Sequence, residues 1–295
     1  MNDRTVAPGP VVTLPAAMTS QMTPDLYRAG SGEPLLLIHG FTDTWRAWTA
    51  VLGELVPFFE VIAPTLHGHF GGPPMPEIDV QNPDAMERFT DIFEQRMDEL
   101  GIGTAHIVGN SLGGGIAQQL AKRGRARSVV GLAPAGGMEV GDRAEALRIK
   151  RQFKRLQASS RAAAPYVERI MRSSNRRRIA LRDIVQMGNQ VPAEAAIRMT
   201  RASIRCEAVD DVYEVLESGA PWLTELDRIS CPTLVAWGSK DRILPAHKHA
   251  RRLALEIPGL QYRTLHGLGH IPMWDAPELV GAMIRDHVQR SAKAG

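Results

Sequence analysis

Cysteine is scarce in this chain: Cys206 and Cys231 are the only two among 295 residues. They fit neither a disulfide framework nor a metal-ligand spacing, so two free thiols in a reducing compartment are expected. Long apolar runs are missing too, and none approaches the ~20 residues needed to cross a bilayer. The opening stretch, MNDRTVAPGPVVTLPAAMTSQMTPD, has no basic start followed by an apolar core, so it does not read as a secretory signal. Residues 1–25 are expected to form a loose arm, and the protein is expected to be cytoplasmic. Charge of one sign is also weak. A formal net charge of +3 makes no case for nucleic acid or a membrane as partner. No internal repeat or low-complexity tract is present.

What the chain does have is apolar material in a regular rhythm. It is 44% hydrophobic and 23% charged, which suits a soluble globular domain large enough to need no metal or disulfide for its core. From Leu35 onward, short continuous apolar runs alternate with amphipathic stretches. LLLIHG, FEVIAPTL, AHIVGN, SVVGLAPAG, CPTLVAWGSKD and LQYRTLHGLGH read as strands. TWRAWTAVLGELV, NPDAMERFTDIFEQRMDELG, the run after Ser111, PAHKHARRLALEI and PELVGAMIRDHVQRSA read as helices. Asp43 or Thr44 is available to cap the first of these. Strands apolar on both faces and separated by helices predict an α/β fold with a mostly parallel, doubly wound sheet.

The rhythm breaks at 138–219, where no strand is legible. A helical insertion there would divide the core into 26–137 and 220–295. Between Glu139 and Arg205 stand sixteen Lys or Arg against six Asp or Glu, an excess of ten. A solvated helical face is the default explanation. The sharper one is that arginines such as Arg148, Arg151, Arg155 or Arg161 line a lid and attract an anionic group.

The chemistry concentrates at GNSLG. This is G-x-S-x-G between an expected strand and an expected helix, the setting that gives the motif meaning. Glycines at 109, 113, 114 and 115 allow a sharp turn that exposes the Ser111 hydroxyl at the carboxyl end of the sheet. The N–H of Leu112 then lies at a helix N-terminus, where unpaired donors favour negative charge. Serine is a weak nucleophile and needs a base, which needs an orienting carboxylate. Asp241, in WGSKDRILP, and His270, in HGLGHIPMWDAPE, each follow a strand, and the chain order Ser, Asp, His suits this elbow.

These pieces together resemble the α/β-hydrolase fold, over nearly the whole length from about Leu26. LLLIHGF, GNSLGG, PTLVAWGSKDRILP and LGHIPMWDAPE carry the likeness. The resemblance implies Ser111 as nucleophile, His270 as general base and then acid, and Asp241 as its orienter. It also implies an oxyanion hole from the backbone N–H groups of Phe41 and Leu112. Serine rather than aspartate at the elbow counts against dehalogenase and epoxide-hydrolase chemistry. The turn PTLHGHFGG lacks an aspartate common at that place in relatives, which bears on the local loop rather than on the triad.

Blander readings apply to the other polar residues. His67, His69 and His266 have no carboxylate or cysteine at ligand spacing and read as loop or strand-end histidines, so no metal is expected. His39 reads as structural, and Trp45 and Trp48 as core or pocket wall. Asp275 rivals Asp241 as orienter but reads better as the cap of the last helix before Pro277. The expected function is a cofactor-free serine hydrolase cleaving carboxylic esters of small molecules. The alternatives are a carbon–carbon bond hydrolase of diketone-type substrates and a ligand-binding receptor on the same scaffold.

Overall fold

The computed structural model describes residues 21–77 and 85–294. The strands are β1 (Gln21–Met22), β2 (Leu26–Ala29), β3 (Pro34–Ile38), β4 (Glu60–Pro64), β5 (Ala105–Asn110), β6 (Ala126–Leu132), β7 (Thr233–Gly238) and β8 (Gln261–Leu265). They form one sheet in the order β1-β2-β4-β3-β5-β6-β7-β8. The pairings β1–β2 and β2–β4 are antiparallel, and all the others are parallel. The expected α/β class and mostly parallel sheet are therefore present.

The alternation of side chains along each strand divides the core in two. Leu36, Ile38, Ile107, Val129 and Val235 face one way and pack with Phe93, Met97, Ile116, Leu120 and Leu253. These come from α2 (Ala85–Glu99), α3 (Leu112–Lys122) and α9 (Ala246–Glu256). Leu35, Leu37, Val108, Val130 and Leu234 face the other way and meet Trp45, Trp48, Leu52, Val280 and Ile284. The last five belong to a 3-10 turn (Trp45–Trp48), α1 (Leu52–Leu55) and α11 (Pro277–Ala294). A strand apolar on both faces is what this double cover requires. Each fully buried Val or Leu contributes roughly 1.5–3 kcal/mol.

Three expectations need amendment. The single helix expected from Thr44 is a 3-10 turn followed by a four-residue helix; Thr44 caps the former, its side chain accepting from Arg46 N. Gln21–Met22, at the end of the expected loose arm, is a strand paired to Tyr27 and Arg28; residues 1–20 of that arm lie outside the described residues. Asp275 does not serve as a helix cap: it closes α10 (Pro272–Asp275) and binds elsewhere, as described below.

Between β6 and β7 the chain is helical: α4 (Arg143–Ala163), α5 (Val167–Arg172), α6 (Ser174–Leu181), α7 (Ala193–Ile204) and α8 (Val209–Ser218). An ionic knot around the buried Glu145 fixes this segment to α9 and to the turn after β7. Asp142 caps α4 through Glu145 N–H. The Glu145 carboxylate accepts from Arg148, from Lys248 Nζ at 2.6 Å and from His249 Nε2 at 3.2 Å. Arg148 in turn donates to Ile243 O at 2.7 Å. No helix among the described residues is long and apolar enough to cross a membrane.

Burial alone would raise the Glu145 pKa, but hydrogen bonds from His249, Arg148 and Lys248 outweigh it and hold the carboxyl well below the usual range. A folded-state pKa lowered in this way stabilises the fold fully above about pH 5, and that contribution declines as pH falls below it. Glu145→Gln leaves buried His249 and the part-exposed Arg148 and Lys248 without their countercharge and should cost about 1–3 kcal/mol at pH 7. It should also flatten the loss of stability between about pH 5 and pH 3. Urea midpoints of both proteins across that range check this; parallel pH curves would contradict it.

Candidate active site

The turn at Ser111 has φ 53° and ψ −117°, a strained conformation for a residue with a side chain. It persists because its neighbours leave no room for another path. A Cβ at Gly109 would lie 2.1 Å from Gly113 O, and one at Gly113 would lie 2.2 Å from Ile38 O. The backbone is stitched on both sides as well: Ser111 N–H donates to Leu132 O, and Ser111 O accepts from Gly115 and Ala135. β3, β5 and α3 therefore meet at one point, with Gly40 against the Ser111 Cβ.

Asp241 and His270 are brought together. Asp241 Oδ1 accepts from Ile243 N at 2.8 Å and Leu244 N at 2.9 Å, which tightens its own turn after β7. Trp237 Nε1 holds the end of that turn through Leu244 O. Oδ2 is thereby left for His270 Nδ1, 2.8 Å away. Gly238 allows the histidine loop to approach, since a Cβ there would lie 2.2 Å from Gly269 O. With Nδ1 bonded to the carboxylate, Nε2 is the ring atom free to take a proton.

Ser111 and His270 border one cavity of about 250 Å³, with Gly40, Phe41 and Asn110 beside them. No hydrogen bond joins Ser111 Oγ to His270 among the described residues; such contacts often tighten only once substrate is bound. A second, apolar recess of about 30 Å³ also borders Ser111, against Leu112, Met138, Val212 and Trp222. Phe41 and Phe153 border both spaces. Among the described residues, the N–H groups of Phe41 and Leu112 enter no turn or loop hydrogen bond.

Other polar groups take supporting places. His39 is fully buried; Nδ1 meets Gly40 O and Nε2 accepts from Leu66 N–H, which fixes the strand end before Phe41. Burial, then the nearby His69, holds its pKa well below 6.5. His69 is buried with Nδ1 on His67 O, its pKa lowered by burial to about 4, while His266 is exposed. Trp45 and Trp48 are core. Asp275 stands apart from the histidine ring. It accepts from Gly269 N–H and from Met187 N–H, both at 2.7 Å, tying the helical segment to the histidine loop. Burial raises its pKa despite those bonds.

Asn110 escaped the sequence reading. Its Nδ2 donates to Leu132 O and to His270 O, both at 3.0 Å, and so joins the elbow to the histidine loop. Its place immediately before the elbow serine was the available signal. The arginines of the helical segment do not border the cavity. Neither Lys nor Arg borders it among the described residues. Arg148 is turned into the Glu145 knot, and Arg151 bonds Leu147 O on its own helix.

The alpha/beta hydrolase family model matches residues 35–282. The chain belongs to the alpha/beta hydrolase family. This hydrolase is 31% identical over 204 residues to the epoxide hydrolase EphH of Mycobacterium tuberculosis, covering 68% of this chain and 92% of that one. Its fold is similar to an esterase of Thermogutta terrifontis (TM-score 0.67, 22% identity, 93% and 97% of the two chains). It is similar also to the 2-hydroxy-6-oxo-6-phenylhexa-2,4-dienoate hydrolase of Rhodococcus sp. strain RHA1 (TM-score 0.71, 19% identity, 93% and 96%).

The two aspartates should separate cleanly by mutation. Asp241→Asn removes the acceptor that orients His270 and should cut kcat by up to about 10⁴ with the fold intact. Asp275→Asn should lower the thermal midpoint while kcat falls less than about tenfold, because it touches loops rather than the ring. Steady-state kinetics beside thermal melts decide this, and a reversed order would move the orienting role to Asp275.

Proposed function

We propose that this hydrolase cleaves carboxylic esters of small molecules through an acyl-enzyme on Ser111. The observation that carries the reading is the His270–Asp241 hydrogen bond at the wall of the cavity that Ser111 enters. His270 Nε2 takes the serine proton as Oγ attacks the carbonyl. The backbone N–H groups of Phe41 and Leu112 receive the oxyanion, a term worth about 3–4 kcal/mol per donor in such sites. His270 then protonates the departing alcohol and activates the water that releases the acid. Helices α4 to α7 border the cavity through Phe153, Met171, Leu181 and Met199, and in this reading they act as a cap.

Chemistry separates this reading from those suggested by other relatives. A serine alkoxide that opened an epoxide would leave an ether, which has no carbonyl for water to attack. Ser111 therefore suits acyl transfer better than the epoxide hydrolysis of the M. tuberculosis relative. The Rhodococcus enzyme is named for a dienoate, and an anionic substrate of that kind would meet no Lys or Arg bordering this cavity among the described residues. The carbon–carbon bond reading is disfavoured on that ground. A receptor role would need no turnover at all.

The two unequal spaces beside Ser111 also set a size rule. A recess of about 30 Å³ holds a group of a few heavy atoms, whereas about 250 Å³ holds a much larger one. Esters with a small group on one side of the carbonyl should be turned over, and esters bulky on both sides should not. Naphthyl acetate against naphthyl benzoate measures this. A fluorophosphonate probe should modify Ser111 alone, and Ser111→Ala should lower kcat by about 10³ to 10⁶. Label mapped to another residue, or turnover surviving in the variant, would overturn the proposal.

A further inference from the structure

We infer that Asp43 is a specificity-determining residue, and that it fits this cavity to esters whose larger arm carries a positive charge. The inference rests on the esterase reading and goes further, to the class of ester.

The first support is where the charges lie. The cavity beside Ser111 is bordered by two carboxylates, Asp43 and Asp183, and by no Lys or Arg among the described residues. This is unexpected for a chain of net charge +3 whose helical segment is strongly basic. Several basic side chains of that segment are engaged elsewhere. Arg148 is held by Glu145, Lys150 by Glu217 and Arg201 by Glu168, while Arg177 donates to Met171 O and Asn189 O.

The second support is the position of Asp43. It follows Phe41 by two residues in a turn closed by Asp43 N–H to Gly40 O, with Thr42 at φ 67°. Its distance from the reacting carbonyl is therefore set by the same strand end that offers the Phe41 N–H. Oδ1 accepts from Thr44 N–H at 2.8 Å. Among the described residues, Oδ2 has no hydrogen-bond partner and the carboxylate has no ion pair. Asp183, by contrast, has Arg242 Nη1 at 3.6 Å.

The third support is electrostatic. Burial pushes the Asp43 carboxyl up to about 6, opposed by the Thr44 N–H and by the more distant Arg198. It is still mostly ionised at pH 7, so a negative charge that Arg198 offsets only from beyond ion-pair distance borders the space where the substrate's larger arm would lie. An ammonium group supplies the missing countercharge, a neutral group supplies none, and a carboxylate adds repulsion.

The test compares kcat/KM for 2-(trimethylammonio)ethyl acetate, its neutral isostere 3,3-dimethylbutyl acetate and anionic 3-carboxypropyl acetate. Each has a small acyl group for the apolar recess. Wild type should prefer the cation over the isostere by at least about tenfold in 0.5 M NaCl, since screening over ~4–5 Å leaves only close charges effective. The anion should be poorest. Asp43→Asn should bring the ratio of cation to isostere near one, Asp43→Glu should keep most of it, and Asp183→Asn should change it less than threefold. Titration calorimetry of choline against 3,3-dimethylbutan-1-ol on Ser111→Ala gives the same comparison without turnover. If none of the three esters is cleaved, the esterase reading fails while the binding ratio still tests Asp43. A ratio near one in wild type by either readout would overturn the inference, as would a preference removed by Asp183→Asn but not by Asp43→Asn.

Discussion

At Ser111 three backbone segments converge so closely that only glycine fits at 109 and 113, and the serine is held at a positive φ. That contact fixes more than one side chain. It sets where β3 ends against the elbow, and so where the Phe41 N–H and the turn carrying Asp43 can be. It also leaves the first N–H of α3 facing the same space. The strain is sustained by hydrogen bonds of Ser111 to Leu132, Gly115 and Ala135 and by the packing of β3, β5 and β6 at the centre of the sheet.

A second set of contacts holds the rest of the site against this fixed point. Asn110 spans from the elbow to His270 O, and Asp241 divides its two oxygens between its own turn and the histidine. The helical segment is fastened to this machinery at two places, not merely laid over it. Glu145 ties α4 to α9 just beyond the Asp241 turn, and Asp275 ties Met187 to the loop that carries His270. Ile271 N–H to Ile184 O adds a backbone bond at the latter place. A shift of the helices would therefore move the histidine loop, which couples cavity shape to the placement of His270.

Much of this was legible in the sequence, for physical reasons. The strands β3 to β7 are apolar on both faces, so they appear as continuous runs, and the elbow has a glycine pattern that few other structures require. β1 and β2 were not legible, because QM and LYRA are short and owe their strand character to pairing, β1 with β2 and β2 with β4, rather than to their own pattern. Trp45, Trp48, Leu52 and Leu55 recur at spacings of three and four that a 3-10 turn followed by a short helix satisfies as well as one α-helix does. Asp275 precedes Pro277 as a helix cap would, yet it binds a backbone N–H 88 residues away. The direction of the arginines depends on which carboxylates the folded chain brings beside them, and periodicity does not carry that. Asp43 stood in plain view beside HGF, but only the cavity gives it a role.

The claim on which the account depends is that Ser111 becomes acylated. Acid quenching within milliseconds of mixing with excess p-nitrophenyl acetate, followed by intact-protein and peptide mass spectrometry, tests it directly. Acylation at Ser111 would leave one acetyl group per chain, on the peptide containing Ser111, together with a burst of nitrophenol equal to the enzyme concentration. Acetyl on any other residue, or nitrophenol release with neither burst nor adduct, would contradict it.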